Sequence, residues 1–113
     1  FKQKTAYEIM PSLVGSEMCI RDSLRIKANL TTYQDPPYVP PYHTDLVGDL
    51  KDITKTAIYY LNDTNGGTEL EDGTLIEGKG NRLVILPGNV KHRGIGQTDV
   101  SSRCVINFNY VEK

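Results

Sequence analysis

Scarcity narrows this chain before any motif does. Its 113 residues contain no tryptophan and only two each of phenylalanine, methionine, cysteine and histidine. Two cysteines, Cys19 and Cys104, cannot build a disulfide framework, so a reducing compartment, the cytoplasm, is the expected setting. Two histidines exclude a centre built from three or four imidazoles of this chain. No apolar run approaches membrane-spanning length, which excludes a hydrophobic helical span. The formal net charge is -1 with no basic tract, so nothing in the chain attracts nucleic acid or an anionic bilayer. There is no initiator Met or signal-peptide pattern at Phe1, and the expectation is a fragment no larger than one domain.

What is present reads as strands and turns. Residues 24–33 alternate Ile26, Ala28, Leu30 and Thr32 against Lys27, Asn29, Thr31 and Tyr33, the period of two of an extended segment. Residues 34–41 hold four prolines and form a stiff irregular connection, and residues 42–46 are short and extended. Residues 47–53 read as a loop placed to act as a lid. A second strong strand spans 54–61. A hairpin over 68–70 and 74–77 turns at Glu71-Asp72-Gly73, where Asp-Gly favours a tight reversal. Strands at 82–86, 90–94 and 103–111 complete about eight, with no convincing helix. That pattern specifies an all-β sandwich or jelly roll.

Residues 1–23 are different in character. Residues 6–10 suit a short strand or helical turn ended by Pro11, and residues 12–23 have no clean period. The stretch 12–23 closely resembles the conceptual translation of sequencing-adapter DNA found in assemblies of environmental reads. That resemblance implies that 1–23 is an atypical, dispensable segment and that 24–113 is the core domain.

The chemistry centres on His43-Thr44-Asp45. In an extended segment residues i and i+2 face one way, so the imidazole and the carboxylate project together. His92, beside the apolar run 83–86, is the only other histidine, and a jelly roll would fold it back onto the pair. Two histidines and one carboxylate with open positions is the facial triad of non-haem Fe(II) oxygenases. Taken singly, H-x-D is a weak motif and His92 suits a structural role. On the last strand Arg103, Val105, Asn107 and Asn109 share a face, opposite Cys104, Ile106, Phe108 and Tyr110. An inward Arg103 would need an anion; an outward one is only a solvated charge. Tyr33 and Tyr60 are either core aromatics or pocket phenols.

The residues in order resemble the 2-oxoglutarate- and Fe(II)-dependent dioxygenases, in their prolyl-hydroxylase-like branch. The resemblance runs over residues 24–110 through Tyr33, His43-Thr44-Asp45, Ile58-Tyr59-Tyr60-Leu61-Asn62 and Gly66-Gly67-Thr68-Glu69-Leu70. It continues through Gly80-Asn81-Arg82-Leu83-Val84-Ile85-Leu86-Pro87, His92-Arg93-Gly94 and the segment 103–110. It implies a double-stranded β-helix (jelly roll) whose N-terminal supporting helices are missing or replaced, leaving one sheet face uncovered. It implies His43, Asp45 and His92 as iron ligands, Arg103 and Tyr60 at the co-substrate carboxylate, and Tyr33 and Asn107 in the same pocket. Fe(II) and 2-oxoglutarate are the implied cofactors, with ascorbate for sustained turnover. The implied reaction is C–H hydroxylation with release of succinate and CO₂. A peptide, peptidyl proline included, and a small molecule both remain open as substrate. The alternative of another class is a non-enzymatic jelly-roll ligand-binding module.

Overall fold

The alternation at the end of the chain organises the architecture. In the computed structural model, which describes residues 2–5 and 23–111, the strand β8 (Ser102–Val111) lies between two others in a five-stranded sheet. Its neighbours are β2 (Ser23–Thr32) and β3 (Thr54–Tyr60). The sheet is completed by β6 (Arg82–Pro87) and, at the edge beyond it, β1 (Lys2–Thr5). The order is β1-β6-β3-β8-β2, antiparallel throughout. A second, three-stranded sheet has β4 (Gly67–Leu70) between β5 (Leu75–Glu77) and β7 (His92–Ile95). This is an all-β fold of two antiparallel sheets.

Register decides which side chains meet. Residues opposite one another across a ladder share a face, so the pairs Thr31–Arg103, Asn29–Val105 and Lys27–Asn107 line one side of the large sheet. The same rule puts Ile58 and Tyr60 on that side and Ala57 and Tyr59 on the other. Between the sheets, Ile58, Tyr60, Val84, Leu86 and Val105 pack with Leu70 and Ile76 of the small sheet. A second cluster, Ala57, Leu83 and Tyr110 with Tyr59, Ile85 and Phe108 against it, occupies the far side.

Two turns show why particular residues stand where they do. The β4–β5 hairpin reverses at Gly73 with φ +94°, a conformation that L side chains rarely adopt, and Asp72 caps the turn by accepting from the Thr74 amide at 2.9 Å. At Gly67 a methyl group would stand 2.1 Å from the Ile76 carbonyl oxygen, so β4 and β5 can pair this closely only with glycine there.

Three expectations change. The segment 42–46 forms only an isolated antiparallel bridge, His43 to His92, because the preceding prolines carry no N–H to extend a ladder. Residues 47–53 include a single helical turn, α1 (Leu50–Ile53). The Lys2–Thr5 strand was invisible to periodicity, since Lys-Gln-Lys-Thr has no apolar alternation, yet polar, lysine-bearing sequence suits a sheet edge. The expectations for residues 6–22 lie outside the described residues.

Candidate metal centre and its cavity

Backbone pairing brings the triad together. His43 and His92 exchange two backbone hydrogen bonds of 2.9 Å, which fixes their rings side by side with centroids 4.8 Å apart. Each ring then points Nδ1 at a main-chain carbonyl two residues earlier. His92 Nδ1 lies 3.0 Å from Val90 O, and His43 Nδ1 lies 3.4 Å from Pro41 O. A proton held on Nδ1 leaves the Nε2 lone pair free, the tautomer that a metal ligand needs. Both Nε2 atoms face the same carboxylate oxygen, Asp45 Oδ1, at 3.4 Å from His43 and 3.3 Å from His92. One ligand atom from each residue falls within 4.8 Å of the others. The three side chains can therefore hold one divalent metal ion.

The carboxylate is held from behind. Asn109 Nδ2 donates to the outer oxygen, Asp45 Oδ2, at 3.0 Å, and also lies 3.1 Å from Thr56 Oγ1. Burial alone would raise the Asp45 carboxyl, but hydrogen bonds from His92 and Asn109 and the charge of the imidazoles bring it down to about 2. Burial likewise pulls His92 down, yet its hydrogen bond to Asp45 and its contact with the Val90 carbonyl leave the pKa raised. Before the His43-Thr44-Asp45 triplet, Tyr42 donates to Glu69 Oε1 at 2.7 Å and lies under the Arg93 guanidinium, 4.1 Å from ring centroid to Cζ. Arg93 also bonds Glu69 through Nε at 2.9 Å. Tyr42 thus pins the triplet to the small sheet.

The triad opens on a cavity of about 420 Å³ between the sheets, whose lining includes His43, His92, Arg103 and Asn107. Arg103 is 6% exposed. Its guanidinium donates to Gly67 O at 3.0 Å and packs near Gly94, while Nε has no partner. Among the described residues it forms no ion pair with any carboxylate. Burial draws its pKa down, and the neighbouring Tyr60 opposes that shift without cancelling it. Gly94 follows His92 by two residues on β7, so the backbone beside the guanidinium and that of His92 are one pleat repeat apart, about 6–7 Å.

The remaining expected residues differ in placement. Tyr60 is buried behind the cavity wall; its phenol donates to Thr68 Oγ1 at 2.6 Å, and its ring faces Arg103 at 5.8 Å. Burial raises the phenol's pKa, so it stays a neutral donor. Thr68 itself lines the cavity and stands between Tyr60 and any ligand. Asn107 lines it too, with a buried Oδ1 that has no partner. Tyr33 is not brought in: β2 ends at Thr32, and Tyr33 is 50% exposed on the connection, its amide donating to Ser101 O at 2.9 Å. Periodicity missed Thr68 and Lys27 as cavity residues, and put Asn109 on the face of Arg103 without showing its contact to Asp45.

No model of a known protein family matches the sequence, and no curated protein does either. Solved structures match in shape. The chain is similar to a proposed mannose-6-phosphate isomerase from Ralstonia eutropha, with TM-score 0.56 and 10% identity over 80% of this chain and 82% of that one. It is also similar to protein NMB1881 from Neisseria meningitidis, with TM-score 0.50 and 9% identity over 90% and 95%. At such identities the likeness concerns the fold alone. The chain thus has an all-β fold of two antiparallel sheets, similar in shape to these structures, with a His-His-Asp cluster able to hold a divalent metal.

Proposed function

We propose that this protein is an Fe(II)- and 2-oxoglutarate-dependent oxygenase of the prolyl-hydroxylase-like kind, with His43, Asp45 and His92 as the metal ligands. The observation that carries the proposal is Arg103, a buried guanidinium that forms no ion pair among the described residues and lines the same cavity as His43 and His92. A buried cation left unpaired is costly, and a dicarboxylate reaching from the metal to Arg103 would satisfy it. The donor set fits the metal as well. Two imidazole nitrogens and one carboxylate on one side suit a first-row divalent ion and leave positions for other ligands.

Bound together, Fe(II), 2-oxoglutarate and O₂ supply an oxidation in which one oxygen atom enters succinate, with loss of CO₂, and the other becomes the hydroxyl that replaces a substrate C–H. The chain's own residues orient and enclose. Asn109 holds Asp45 so that Oδ1 faces both histidines. Arg103 grips the distal carboxylate, and Thr68, which accepts from Tyr60, keeps its own hydroxyl proton for the same ligand. Asn107 presents its amide to the chamber, and Ile58 and Val105 form apolar wall that excludes water. The substrate is a peptide or a small molecule admitted at the mouth.

Anaerobic reconstitution with Fe(II) and 2-oxoglutarate, followed by O₂, tests the reading. Succinate should form in the wild-type protein and not in Asp45→Ala. Protein verified to hold iron and 2-oxoglutarate that makes no more succinate than the variant would refute it, and the ligand-binding module would take its place.

A further inference from the structure

We infer that the substrate carries a carboxylate and that Lys27 is the residue that selects for it. This rests on the oxygenase reading above. Lys27, Asn29 and Thr31, the inward row of β2, all line the cavity. Lys27 is exposed at the cavity mouth; on the opposite row of the strand Ile26 is 63% exposed, and Leu30, 66% exposed, reaches the cavity rim. A lysine on an edge strand ordinarily blocks pairing with other chains. That role needs no particular face and does not call for Asn29 and Thr31 beside it in a chamber.

Position separates Lys27 from the co-substrate clamp. Thr31 is opposite Arg103, whereas Lys27 is opposite Asn107, and the next inward residue of β8 is Asn109, which bonds Asp45. Lys27 therefore stands toward the triad end of the sheet, where the attacked C–H must sit. Among the described residues no acidic side chain lines the cavity, its lysine and arginine side chains are Lys27 and Arg103, and Lys27 forms no ion pair. With a divalent ion in place, Asp45, Arg103 and a dicarboxylate co-substrate bring the charge to balance. The Lys27 ammonium, solvated at the mouth while the site is empty, is the charge left over, and a substrate carboxylate pairs with it. A free organic acid, such as an amino acid, and an acidic side chain within a peptide share this chemistry; a neutral peptidyl proline does not.

The test uses the full chain with Mn(II) replacing Fe(II), so that paramagnetic line broadening in ligand NMR reports binding near the metal without turnover. 2-Oxoglutarate is titrated first. Then, at saturating 2-oxoglutarate, free L-amino acids, the matching amino acid amides, and blocked tripeptides with central Asp, Glu or Pro are compared. At least one carboxylate-bearing probe should bind about tenfold more tightly than its uncharged counterpart, a preference abolished in Lys27→Gln and partly kept in Lys27→Arg. Broadening of the free acids alone identifies a small-molecule substrate, and broadening of the Asp or Glu tripeptides identifies an acidic side chain. Equal binding of acids and amides, no binding by any acid, or a preference that survives in Lys27→Gln overturns the inference while 2-oxoglutarate binding keeps the oxygenase reading intact. Absence of 2-oxoglutarate binding in the first titration overturns both.

Discussion

The two faces of one pair of strands carry opposite chemistry. On β2 and β8 the inward rows are Lys27, Asn29, Thr31 and Arg103, Val105, Asn107, Asn109, while the outward rows hold Ile26, Ala28, Leu30 and Cys104, Ile106, Phe108, Tyr110. A sandwich normally turns its apolar rows inward, because buried polar groups cost free energy unless they are paired. Here the polar rows are the ones that face the other sheet. Asn109, 1% exposed, has found partners in Asp45 and Thr56, while Arg103 Nε and Asn107 Oδ1 have none. The inner face is thus built around groups that the protein itself leaves incompletely satisfied, and the outer face around packing. Changes to the inner row should therefore act on ligands, and changes to the outer row only on solubility and stability.

The largest effect lies at the triad. Asp45→Ala removes the only anionic ligand, and calorimetry should show metal binding lost. The same site sets a pH dependence. Without metal, Asp45 is held below its ordinary 3.8, so its contribution to stability is present above 3.8 and lost as pH falls through about 2. His92 is raised above its ordinary 6.5, so its contribution is complete below 6.5 and lost as pH rises through its higher folded value. The metal-free protein should be most resistant to denaturant between those ordinary values, with the optimum flattened in Asp45→Ala. Metal affinity should run the other way and climb with pH, since an incoming ion must displace the His92 proton. A pH-independent metal affinity would show that the pair does not form in solution.

Next is the unpaired cation. Arg103→Ala should weaken 2-oxoglutarate binding about a hundredfold while metal affinity stays near wild type. Arg103→Lys should recover only part of the loss, because the fork geometry is gone. Unchanged 2-oxoglutarate affinity in both variants would mean that the inward guanidinium serves packing alone.

Asn109 comes third, and it also marks where sequence reading stopped. The strands were legible because Ile26, Ala28 and Leu30, or Val105 and Asn107, repeat with period two, and His43 and Asp45 because i and i+2 share a face. Which side of β2 points inward was not: its apolar row would ordinarily be buried, and the ladder with β8 turns it out. The pairing of Asn109 with Asp45 was hidden for a related reason, since it joins residues 64 apart through a register that no local pattern states. Tyr33 misled because alternation continued past Thr32, where the chain had already left the sheet. The Tyr60–Thr68 contact joins one sheet to the other and likewise has no local sign. Asn109→Ala should lower metal affinity about tenfold, the scale expected when a ligand loses the group that orients it. An affinity equal to wild type by the same calorimetry would reduce Asn109 to a packing residue.

The smallest effect is the one that most sharpens the contrast between the faces. Ile26 sits on the same strand as Lys27 and Asn29 but on the opposite face, and it is 63% exposed. Ile26→Thr keeps β-branched character suited to a strand and removes exposed apolar surface. The change is a surface substitution without a buried partner, so stability should move by no more than about 0.5 kcal/mol. Metal and 2-oxoglutarate affinities should match wild type, whereas concentration-dependent self-association, followed by light scattering, should fall as the patch shrinks. Loss of either affinity in this variant would mean that the outward row supports the cavity through the sheet, and the division of labour between the faces would not hold.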